Sequence, residues 1–294
     1  MRTSLRRLSA TVTVVAVLGG LMVPAAASAA SPDVTVNVHP TLTAALTKDG
    51  VRAGRPVTVT GAVLPAEADV SLDLERRTGA TWQRVASTRS TADGTYSLAV
   101  TPALPSSWSL RVVRVVSDAG VPRAVSVGEL PRLEVFRLHR YSVTTRGTMR
   151  ANLAAFRDGV AATYADERGW ARAHHRFQLV EPSSGQAEFT VVLAQARYLP
   201  TYSRVCSSTY SCRVGRYVII NQDRWRRGSP YFPGTLEQYR RMVVNHETGH
   251  WLGRGHAYCP GRGKAAPVMQ QQSKGLNGCR VNPWPLPREV RAVS

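Results

Sequence analysis

The amino-acid sequence predicts two domains in tandem, an all-β sandwich followed by an α+β domain, behind a leading segment that belongs to neither. Three observations predict this. Period-two alternation of apolar and polar residues, interrupted by turn residues, runs to about residue 127. Beyond it, apolar residues at steps of three and four alternate with short β-branched runs. At the front, Arg2, Arg6 and Arg7 precede an apolar run over 11–23, followed by Ala27-Ser28-Ala29.

Residues 1–29 therefore read as a secretory signal peptide cut after Ala29. The apolar run falls short of the roughly 20 residues that a spanning helix requires. No other stretch approaches that length, so the expectation is a secreted, extracellular protein without a transmembrane segment, and a monomer.

Within 32–127 the segments 56–63, 69–74, 82–87, 96–100 and 109–116 recur at the spacing of a small sandwich. Asp93-Gly94 and Asp118-Ala119-Gly120 supply turns between them. The region resembles the immunoglobulin-like modules of secreted bacterial proteins, with no cysteine pair to pin its sheets. No aromatic or charged cluster stands out in it, which favours a spacer over a ligand-binding role. Gly128 and Pro131 end the alternation, and 128–134 is expected as a linker.

The second domain, 135–294, opens with Met149, Leu153, Phe156, Val160 and Tyr164 on one face of a helix over 148–165. Strands are expected at 188–194 and 216–222, both rich in Val, Ile, Phe or Tyr. A second helix begins near Thr235, whose hydroxyl can cap it while Gln238 closes a capping box. That helix carries His246, Glu247 and His250. The two histidines, four residues apart, emerge from one face and can grip one ion. Gly253 can take the left-handed conformation that ends a helix, Gly255 adds freedom, and His256 can then reach back as third ligand. Imidazoles suit Zn2+, and three protein ligands leave a fourth position for water, the arrangement of a catalytic site with one ion. With this chain's own His and Glu frequencies the five-residue pattern arises by chance at about half a percent. Requiring Gly253 and His256 lowers that to roughly one in a hundred thousand. The other histidines, His39, His139, His174 and His175, have no ligand spacing and read as surface or core residues.

The run His246-Glu247-Thr248-Gly249-His250-Trp251-Leu252-Gly253-Arg254-Gly255-His256 resembles the metzincin zinc peptidases, with every defining position filled. The stretch 141–285 also looks like a family of exported actinobacterial metzincin-like domains. The resemblance implies a methionine turn beneath the metal, for which Met269 is placed, and a zinc metallopeptidase with Glu247 as general base, His246, His250 and His256 as ligands, and a protein or peptide substrate. Gln271 stands where some metzincins place a tyrosine, so that role has no bearer here. The run Gln270-Gln271-Gln272 reads as a solvated loop.

Export favours disulfides among Cys206, Cys212, Cys259 and Cys279. Three pairings are open. The local one, Cys206 with Cys212 and Cys259 with Cys279, is favoured because each bond closes a loop rich in Gly, Ser or Pro; a four-thiolate zinc site is the rival. The formal charge of +19 is spread along the chain, mostly as arginine, without the basic run of a nucleic-acid tail. It suits contact with an anionic cell envelope. The competing function is thus a non-catalytic, zinc-containing cell-envelope binding protein.

Overall fold

The computed structural model describes residues 41–118 and 121–293. The signal-peptide segment, His39 and the turn residues Ala119 and Gly120 lie outside the described residues. The protein is mostly β-sheet with a few helices. Strands β1 (Thr41–Leu46), β2 (Gly50–Arg52), β3 (Val57–Leu64), β4 (Ser71–Thr78), β5 (Thr81–Arg89), β6 (Thr95–Val100), β7 (Ser106–Trp108), β8 (Leu110–Asp118) and β9 (Val121–Glu129) form the N-terminal part. An antiparallel sheet β1-β3-β6 faces a second, β5-β4-β8-β9. Alternate residues such as Val57, Val59, Val63, Leu72, Leu74, Leu98, Leu110 and Val112 meet in one core, as period-two patterning requires.

Strand β10 (Leu133–Arg146) belongs to both halves of the molecule. Its first residues pair with β2 and β7, and Leu133 and Val135 are buried in the sandwich core. Its later residues pair with β11 (His175–Leu179) and β12 (Phe189–Ala194). Of the stretch expected as a linker, only 130–132 lies between strands.

A third sheet runs β11-β10-β12-β14-β13, with β13 (Cys212–Val214) and β14 (Tyr217–Asn221). Its pairs are parallel except for the antiparallel edge strand β13. Every residue of β12 is buried, as a central strand covered on both faces demands. Phe189, Val191 and Leu193 face a core shared with the helices α1 (Leu153–Ala165), α2 (Gln222–Arg227) and α3 (Leu236–Trp251). Val192 and Ala194 face the other way, toward Leu199 and the Cys206–Cys212 bond.

Helix α1 starts later than its apolar spacing predicts, because Asn152 takes the cap position and its side chain accepts from the Ala155 N–H. Met149 lies ahead of the helix yet still packs on the same core. A last short helix, α4 (Pro287–Arg291), closes the described chain.

Candidate metal centre

Helix α3 is capped by Thr235 and Gln238 in a reciprocal box, with bonds of 3.1 and 2.9 Å. Its buried face, Tyr239, Met242 and Val243, packs toward the sheet and fixes the rotation that brings His246 and His250 to one side. The helix ends in a Schellman motif: the Gly253 N–H donates to His250 O at 3.1 Å and the Arg254 N–H to Gly249 O at 2.8 Å. Gly253 sits at φ +87°, where a side chain would be strained. The chain turns back and His256 meets the other two histidines.

The Nε2 atom of His250 lies 3.2 Å from Nε2 of His246 and 3.2 Å from Nε2 of His256. Ligand atoms of the three residues fall within 4.8 Å of one another. The opposite ring nitrogens settle the tautomers of two of them. Nδ1–H of His246 donates to Val268 O at 2.8 Å, and Nδ1–H of His250 to Arg254 O at 2.7 Å. Both facing Nε2 atoms therefore carry lone pairs, and neither can donate to the other. Burial pushes His246 down to about 3, helped by the His250 charge, and burial also lowers His250 and His256. Neutral imidazoles with converging lone pairs make a donor set that a cation between them satisfies. Tetrahedral zinc with Zn–N bonds of about 2.0–2.1 Å sets its nitrogens roughly 3.3–3.4 Å apart, close to the two separations from His250.

Glu247 is 5% exposed and shares a cavity of about 400 Å³ with the three histidines. Burial raises its carboxyl to about 8, opposed by the charge of Arg213. Among the described residues its side chain has no hydrogen-bonding or ionic partner, which leaves the carboxyl available to a molecule in the cavity. Arg213 on β13 donates to His250 O at 2.6 Å, a cation at the C-terminus of α3 where the helix dipole favours one.

Met269 is buried beneath the helix, packed with Trp170 and Val268. Gly249 makes that possible: a methyl group there would overlap the Met269 sulfur and lie 2.8 Å from the Trp170 ring. Trp170 in turn donates to Asn245 O at 2.9 Å. The turn holding Met269 is fastened by a residue that no spacing argument identified, Glu289. This buried side chain accepts from the N–H groups of Val268 (3.0 Å), Met269 (2.8 Å) and Leu286 (2.7 Å). The only sequence signal was its place three residues after Leu286 in a short C-terminal helix.

The glutamine run is not a solvated loop. Gln270 and Gln272 are buried; Gln272 donates to Pro267 O (3.1 Å) and Asn282 O (2.7 Å), and Gln270 to Leu276 O (2.8 Å). They satisfy loop carbonyls that no helix or sheet covers. Gln271 alone is exposed, on the cavity wall. Of the other histidines, His139 and His175 are buried and hydrogen-bonded to each other at 2.9 Å, bridging Glu188 to Val293 O. His174 sits beside Glu134. None of these three joins the cluster at His246.

The cysteines form two local disulfides, Cys206–Cys212 and Cys259–Cys279. The first ties the loop 207–211, which forms one wall of the cavity. The second encloses Met269. Its removal by Cys259→Ser is expected to cost about 3 kcal/mol of stability and to weaken metal retention by the three histidines; unchanged melting and unchanged metal affinity would contradict this. Among the described residues no helix is long and apolar enough to cross a membrane. The two disulfides fit an oxidising, extracellular setting.

Fold and site together define a β-rich protein with a three-histidine cluster at the end of one buried helix. The chain belongs to the family described as "Protein of unknown function (DUF3152)", whose profile matches residues 133–282, about half of the chain. That match begins with β10 and includes the whole histidine cluster. No curated protein matches the chain. A solved structure, the D0-D1 domain of Intimin, is similar at 15% identity and a TM-score of 0.25, over 33% of this chain and 48% of that one. The likeness thus spans about half the length of that structure.

Proposed function

We propose that the protein is a secreted zinc-dependent endopeptidase, a metzincin-like domain carried behind an immunoglobulin-like sandwich. The observation that carries this reading is the pairing of three convergent, neutral imidazoles with an unpartnered buried carboxyl, Glu247, in one cavity. A purely structural zinc site needs no such base and is usually closed by a fourth protein ligand. His246, His250 and His256 would hold the ion, with Val268 O and Arg254 O orienting the first two rings. Zinc supplies a Lewis acid that lowers the pKa of water toward neutrality and polarises a carbonyl.

Glu247 takes a proton from the attacking water as the C–O bond forms, and then passes it to the amine nitrogen, after which the C–N bond breaks and the amine departs. Its burial raises its basicity above that of a carboxylate in water, and the charge of Arg213, together with a cation held by the histidines, would favour the ionised form that accepts the proton. The edge strand β13 and the loop 207–211 line the cleft beside it.

Metal removal tests the reading. Cleavage of an unfolded generic protein substrate should vanish on chelation and return on stoichiometric zinc. Cleavage indifferent to chelator would overturn the zinc dependence, and no cleavage with zinc bound would favour the non-catalytic cell-envelope binding protein instead.

A further inference from the structure

The wall of the cleft is unbalanced in charge. Apart from Glu247 and the three histidines, its charged side chains are Arg213, from β13, and Lys274, from the turn after Met269. Neither is ion-paired to a carboxylate among the described residues. Arg213 is partly committed to His250 O. Lys274 has only the Tyr210 ring, with Nζ 5.6 Å from its centroid.

Lys274 is exposed, but the backbone that carries it is fixed. The turn Gln272–Lys274 is anchored from two sides: Ser229 Oγ donates to Ser273 O at 2.5 Å, and Tyr239 OH bonds Ser273 Oγ at 3.1 Å. Tyr210 opposite belongs to the disulfide-tied loop, itself pinned by Asn221 through Ser208 O and Ser211 Oγ. A neutral substrate side chain seated between them would leave two cations and a metal ion in one cleft. A carboxylate there would answer both.

We infer that this cleft selects peptides bearing an acidic side chain beside the scissile bond, with Lys274 as the specificity-determining residue and Arg213 as the second cationic wall. The inference rests on the peptidase reading for the words "scissile bond", but its charge selection can be measured without cleavage. Lys274 binds the substrate carboxylate and takes no part in proton transfer.

Two measurements on the full mature chain test it. In the first, zinc-loaded protein cuts a mixed peptide pool, and the residues within two positions of each cut are counted. Asp and Glu should be enriched about fivefold over the pool, the discrimination expected of one favourable, partly exposed ion pair. Lys274→Glu should abolish the enrichment, whereas Lys264→Glu, the same charge change on an exposed lysine outside the cavity, should preserve it. In the second, Glu247→Gln protein binds a fluorescein-labelled peptide and its Glu-to-Gln counterpart, read by anisotropy. The acidic peptide should bind about fivefold tighter, and adding Lys274→Glu should erase the difference. Equal affinities, or an enrichment unmoved by Lys274→Glu, would overturn the inference. If nothing is cut but the affinity difference persists and depends on Lys274, the charge selection stands and the peptidase reading falls. If neither cutting nor differential binding occurs, both fall.

Discussion

Glu247→Gln should abolish peptide cleavage, by about 10³-fold or more, while leaving zinc bound. Glutamine matches the glutamate in volume and so keeps the packing at a position that is almost fully buried. It cannot accept the proton of water, and general bases contribute roughly 10²–10⁴-fold. Stability should not suffer, because the variant removes an ionisable group whose charged form burial disfavours. His250→Ala, in contrast, should lose zinc and cleavage together, since one of the three convergent imidazoles is gone. Zinc content by elemental analysis, melting temperature and kcat/KM separate the two variants. Zinc lost from Glu247→Gln would make Glu247 a ligand and not a base; cleavage retained would remove it from the mechanism.

The second large effect is expected at Glu289, far from the motif in sequence. Glu289→Ala deprives three backbone N–H groups, those of Val268, Met269 and Leu286, of their acceptor. Each buried donor left unpaired costs about 1–3 kcal/mol, so a loss near 4 kcal/mol is expected after partial relaxation. The site should feel it as well. Val268 O orients His246, and Met269 O accepts from Ala257, the residue after the third histidine, at 3.0 Å. Weaker zinc retention under chelator competition should accompany the loss of stability. Glu237→Ala, which removes an exposed partner of Arg241 one turn away on α3, serves as the control and should cost a few tenths of a kcal/mol. If urea denaturation shows the same midpoint for Glu289→Ala and the parent chain, the clamp is unimportant.

These two residues also show where the sequence was informative. Glu247 announced itself, because ligand spacing on a helix is a local property: four residues make one turn, and Gly253 ends the helix in a way its own backbone records. The Thr235 cap, the strands near 188–194 and 216–222 and the five sandwich segments were legible for the same reason. Glu289 was not, since its role depends on where the Val268 and Met269 amides end up in space. Gln270 and Gln272 misled, because a glutamine in a polar run looks the same whether it meets water or a buried carbonyl. Strand β10 was hidden by Arg137, His139 and Arg140 in the middle of its run. His139 is buried there only because Glu188 and His175 satisfy both its nitrogens.

That strand has a further consequence. A single backbone, with no hinge in it, runs from the sandwich core at Leu133 and Val135 to the sheet beside α3. Tension on the sandwich would therefore travel along covalent chain and ladder hydrogen bonds into the half that holds the histidine cluster, not be absorbed by a flexible joint. Nor could the front half be trimmed away within 133–136 without exposing the apolar residues that it covers. The two halves are mechanically one piece, and whatever surface holds the sandwich also sets the direction in which the cleft faces.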